Sequence, residues 1–76
     1  MNNYYKFRVS HFKLNEELKT IEQVNDAADA KSVSHISNSV TFDSMLTIIS
    51  RDGWEPITEE QYTAKRTEVL AALSSM

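Results

Sequence analysis

A small α+β domain, with elements in the order β-α-β-α-β-α, is predicted by three observations. Residues 4–12 alternate between apolar and polar side chains, the pattern of a strand with one buried face. Later stretches carry apolar residues at helical spacing behind good N-cap residues. Residues 52–57, Asp-Gly-Trp-Glu-Pro-Ile, hold the only glycine, the only tryptophan and the only proline of the chain. That segment predicts a helix that stops and turns into extended chain. With 76 residues the chain is expected to be a single domain, 1–76, in which a small sheet packs against the helices.

The first strand should place Tyr5, Phe7 and Val9 on one side and Lys6, Arg8 and Ser10 on the other. Asn15 reads as an N-cap, and Glu16 and Glu17 suit the positive end of a helix. Leu14, Leu18, Ile21, Val24 and Ala28 recur at helical spacing, so a helix is predicted over residues 16–30. A rival assignment makes residues 18–24 a second strand and starts a helix at Asp26. Poor alternation and good helix formers favour the helix.

Residues 32–39 are rich in serine, with Val33 and Ile36 interspersed, and predict a strand or extended connection. Thr41 reads as the next N-cap, and Val40 and Met45 are spaced as a hydrophobic staple. Phe42, Met45, Leu46 and Ile49 form the predicted buried face of that helix. Gly53 can take the left-handed conformation that ends it. Trp54 then packs back onto the last turn, at Ile49. Pro56 cannot prolong a helix and biases Glu55 towards extended structure, so a short strand follows. Thr58-Glu-Glu-Gln61 is a capping box, and Ile57 with Tyr62 its staple. Tyr62, Val69, Leu73 and Met76 line one face of the last helix. Arg66 lies in that stripe, its stem packed and its head in water.

A chain this short buries only ~60–65% of its extended-state surface, so self-association is a reasonable expectation. The absence of cysteine excludes disulfides and thiolate zinc sites and fits a cytosolic protein. Residues 1–12 contain no apolar core of a secretory signal. The longest apolar run, Met45-Leu-Thr-Ile-Ile49, is interrupted by Thr47 and far shorter than the ~20 residues of a membrane span. Net charge is −3, which disfavours non-specific nucleic-acid binding. Lys6, Arg8 and Lys13 make the first 13 residues basic, and the acids are concentrated in the rest.

No cluster of residues announces catalysis. His11 and His35 are far apart, lack carboxylates at ligand spacing, and are expected to be partly exposed polar residues. Asp26, Asp29 and Asp43 do not have calcium-loop spacing. The serines have no flanking glycines for a nucleophile elbow, and one glycine cannot build a phosphate-cradling loop. No enzyme activity, metal or cofactor is expected. Small acidic domains can instead bind basic surfaces of larger partners, with charge steering the encounter. Glu16, Glu17, Glu22 and Asp29, on the polar side of the predicted first helix, are the candidate partner-binding residues, followed by Asp52 and Glu55. A homo-oligomer is the alternative. A second alternative is nucleic-acid binding by Tyr4, Lys6, Arg8 and Phe12, expected on one face of the first strand.

The stretch Met45-Leu-Thr-Ile-Ile-Ser-Arg-Asp-Gly-Trp-Glu55, preceded by Tyr4-Tyr-Lys-Phe7, resembles a widespread small-domain family of unknown function. In that family an aromatic and basic strand is followed by an apolar helix that runs into Gly-Trp-Glu and a further strand. Residues 32–39 and the last helix depart from its pattern. The resemblance implies a fold and no activity. In size and composition the chain is also similar to small phage-encoded inhibitors of host enzymes or defence complexes. That likeness implies an accessory or inhibitory protein-binding role.

Overall fold

Four consecutive strands open the chain: β1 (Asn2–Phe7), β2 (Ser10–Asn15), β3 (Thr20–Ala27) and β4 (Ala30–Ser37). Helix α1 (Ser39–Asp52), the two-residue strand β5 (Glu55–Pro56) and helix α2 (Glu59–Ser74) follow. They are seen in a computed structural model that describes residues 2–75. The strands form one antiparallel sheet in the order β4-β3-β2-β1-β5. The α+β class is as expected, but the β-α-β-α-β-α order is not. The helix expected over residues 16–30 is replaced by a turn, β3 and a second turn.

The physical reason lies in the two faces of the sheet. One face carries Phe12, Leu14 and Ile21, packed under Phe42 and Ile49 of α1 and under Trp54. The other carries Val24, packed under Tyr62 and Val69 of α2. Successive strand residues point to opposite faces, and here both faces are covered. Ile21 and Val24 therefore serve different cores, and their three-residue spacing imitates a helix.

The first expected strand is likewise two strands. Arg8 takes φ 56° in the turn between β1 and β2, and Lys19 takes φ 54° in the turn between β2 and β3. In the second turn the Asn15 side chain accepts a hydrogen bond from the Leu18 amide at 3.0 Å, so Asn15 caps a turn and no helix. Val9 lies exposed in the first turn, and Tyr5 and Phe7 pack on the α1 side.

Helix α1 starts earlier than expected. Asn38 is its N-cap and accepts from the Thr41 amide, which leaves Val40 74% exposed and unable to form the expected staple. Gly53 ends α1 at φ 62°, ψ 48°, as expected. Trp54 is buried and stacks on Phe7 and Phe12, with ring centroids 5.2 and 4.4 Å apart. The Thr58–Gln61 capping box of α2 is complete, and Ile57 packs with Tyr62. Met76, expected on the buried face of α2, lies outside the described residues. No helix among the described residues is long and apolar enough to cross a membrane.

Candidate functional site

Two features of this fold offer chemistry to a partner: the outer edge of β4 and the polar part of the α2 face beside it. The register fixes the first. The Asp26 amide of β3 donates to Val9 O at 2.9 Å, on the β2 side and away from β4. Antiparallel strands alternate the side to which their amides point, so β3 bonds β4 through Ala27, Asn25, Gln23 and Ile21. Their partners are Ala30, Ser32, Ser34 and Ile36. The N–H and C=O groups of Lys31, Val33, His35 and Ser37 therefore point outward. Among the described residues no hydrogen bond reaches them. The opposite edge is β5, two residues long, with Pro56 and Glu55 opposite Tyr5 and Lys6.

On the α2 face the register lays side chains in rows across β1 to β4. Asn2, Asn15, Thr20 and Ser37 form one row, and Tyr4, Lys13, Glu22 and His35 the next. Glu22 is the hub of the second row, its side chain 14% exposed. Its Oε1 accepts from the Tyr62 hydroxyl at 2.5 Å and from Arg66 Nε at 2.7 Å, while Oε2 lies 3.3 Å from His35 Nδ1. Burial pushes the Glu22 carboxyl up, but the Tyr62 and Arg66 hydrogen bonds outweigh it and hold the group below the usual range. Farther along β3, Asp26 accepts from Lys31 and, at 2.8 Å, from Lys65 of α2. These two ammonium groups hold its carboxyl down at about 2. Two carboxylates of β3 thus tie the sheet to α2 by charge.

His11 lies in the row between them, beneath α2, and is 8% exposed, in contrast to the partly exposed position expected. Burial, then the charges of Lys65 and Lys6, holds its imidazole below the usual range. His35, by contrast, is exposed at the sheet edge. Among the described residues no group of three or more histidine, aspartate or glutamate side chains converges as metal ligands.

The candidate acids do not share a helix face. Glu16 and Glu17 are exposed in the turn between β2 and β3, and Asp29 is exposed in the turn between β3 and β4. Glu22 is turned under α2 and bound to Arg66, so its expected exposed position is corrected. Asp52 pairs with Arg51 at the end of α1, and Glu55 sits in β5. Three of the six, Glu16, Glu17 and Asp29, bracket the two ends of β4, because residues 16–19 lead into Thr20, the partner of Ser37. The basic-aromatic set also separates. Tyr4 and Lys6 point to the α2 face, Arg8 is in a turn, and Phe12 is buried on the α1 face. The turn at Arg8 causes this, because it reverses which residue numbers face α1. The Glu22 hub escapes sequence reasoning, since residues 22, 35, 62 and 66 are far apart in the chain; the outer position of β4 has no sequence signal of its own.

No family model, curated protein or solved structure matches this chain.

Proposed function

We propose that this chain is a non-catalytic protein-binding module that takes an extended, basic segment of a partner protein as an added strand along β4. The observation that carries this reading is an eight-residue edge strand with four residues offering unused backbone groups, on a sheet whose other edge is only the two-residue β5. Exposed edges template strand addition, and proteins blunt them with proline, charge or short length. β4 contains no proline, and its Lys31 and His35 are engaged by Asp26 and Glu22. In such complexes main-chain hydrogen bonds supply affinity and flanking side chains supply selection. The exposed acids at both ends of β4 favour a basic segment and steer its approach. Occupying such a segment would make the chain an accessory or inhibitory factor, as small phage-encoded inhibitors are.

Selection from a library of displayed random peptides tests this. Enriched peptides should be basic and should slow hydrogen exchange at Lys31, Val33, His35 and Ser37. Ser37→Pro removes one outward amide while keeping the Glu22–His35 contact, and should weaken every such peptide. Peptides that protect the β5 edge or α1 instead would contradict the proposal. A stable dimer protecting those same four amides would make a second copy the occupant.

A further inference from the structure

The row Asn2, Asn15, Thr20 and Ser37 lies one step beyond the row that α2 engages through Glu22. Beside it are two adjoining clefts, of about 370 and 280 Å³, which share Asn2, Lys13 and Glu22. The first is of a size that suits a small ligand.

Two observations point to what would fill them. Lys13 is half-buried, and among the described residues no carboxylate lies in ion-pair reach of it, although its cross-strand neighbour is Glu22. The Glu22 carboxylate is turned away, engaged by Tyr62, Arg66 and His35. A half-buried cation without a counter-charge attracts an anion. The first cleft is also lined by Asn15, Thr20 and Ser37, which bring an amide and two hydroxyls to it. Such side chains both donate to and accept from hydroxyl groups.

We propose that these clefts bind a small polyhydroxylated anion, with its phosphate or carboxylate on Lys13 and its hydroxyls on the side chains of Asn15, Thr20 and Ser37. Sugar phosphates and sugar acids share this chemistry. The site adjoins the outer edge of β4 at Ser37 but uses side chains on the α2 face, and it does not depend on strand addition.

Nuclear magnetic resonance titration of the isotope-labelled protein separates the sources. The probes are ribose 5-phosphate, gluconate, ribose, inorganic phosphate and a single-stranded oligonucleotide. Ribose 5-phosphate or gluconate should give saturable shifts at the amides of Lys13, Asn15, Thr20 and Ser37. The stronger of the two identifies phosphate or carboxylate as the anion. Ribose, lacking the anion, should give none, and inorganic phosphate should bind more weakly than ribose 5-phosphate. Lys13→Met should lower affinity at least about tenfold, the value of a charge-assisted hydrogen bond, and should not lower the urea midpoint. Ser34→Ala, on the opposite face, should bind as wild type. Absence of shifts up to about 10 mM ligand, a range that covers millimolar affinity, would overturn the proposal. So would equal binding of ribose, equal binding by Lys13→Met, or tighter binding of a single-stranded oligonucleotide at the same amides.

Discussion

The two edges of the sheet are finished in opposite ways. β5 is two residues long, contains a proline without an amide, and is anchored by Trp54 between Phe7 and Phe12. β4 is eight residues long and open on its outer side. Two carboxylates of β3 meet its side chains: Asp26 pairs with Lys31, and Glu22 Oε2 lies 3.3 Å from His35 Nδ1. One edge is closed and held by apolar packing; the other is open and held in part by carboxylates. The difference teaches that the long open edge is confined to one side of the sheet. The same short chain applies the usual protections at β5 and omits them at β4.

The largest expected effect is at the closed edge. Trp54→Ala should cost ~3–5 kcal/mol in urea unfolding, since it removes a buried ring stacked on two others. For a domain this small that loss approaches the whole stability. A loss under ~1 kcal/mol, within the range of a surface change, would mean that packing does not anchor β5. On the β4 side, Glu22→Gln should cost about 2 kcal/mol, because Arg66 and Tyr62 lose a charged acceptor. Protection from hydrogen exchange should fall in α2 and β4 and persist in α1. Equal losses in both helices would erase the distinction between the two sides.

A smaller effect is expected at Gly53. A Cβ placed there meets nothing within 4 Å, so Gly53→Val should cost only its left-handed backbone, ~1–2 kcal/mol. An unchanged urea midpoint would sever the link between this turn and the placement of β5.

Acid should divide the edges as well. Asp26 and Glu22 have depressed carboxyl groups, so they stabilise the fold above their unfolded values of 3.8 and 4.5. That contribution is lost as pH falls from about 4.5 towards 2. His11, also depressed, adds a loss that starts below 6.5. All three face α2. Urea midpoints measured from pH 7 to pH 2 should fall for the native chain and fall less steeply for Asp26→Asn below pH 4, where the Glu22 contribution is still lost. The smallest effect on the fold is that of Glu16→Lys with Asp29→Lys. It should change stability by under about 0.5 kcal/mol and slow association of a basic peptide, with dissociation unaltered. Unaltered association would remove charge from the recognition of β4.

Much of the closed side was legible in the sequence. Gly53, Trp54, Pro56 and the Thr58–Gln61 box act on their immediate neighbours, so local chemistry sufficed. The open side was not. The turns that lead the chain from β1 across to β3 use Arg8 and Lys19 at positive φ in place of glycine or asparagine, which removes the usual hairpin signal. One clue was present. The core side chains are odd-numbered at Tyr5 and Phe7 and even-numbered at Phe12 and Leu14, a switch that a single strand cannot make. β3 hid itself because its two faces feed two cores. The edge position of β4 depends on the order of the whole sheet.

The open edge itself is tested most directly by hydrogen exchange of the free protein, followed residue by residue along β4. The account predicts alternation. The amides of Lys31, Val33, His35 and Ser37 should exchange fast, and those of Ser32, Ser34 and Ile36, bonded to β3, slowly. Uniform protection from Lys31 to Ser37 in a monomer would show that the edge is covered. Uniformly fast exchange would show that β4 is not held in the sheet, and either result would contradict the account.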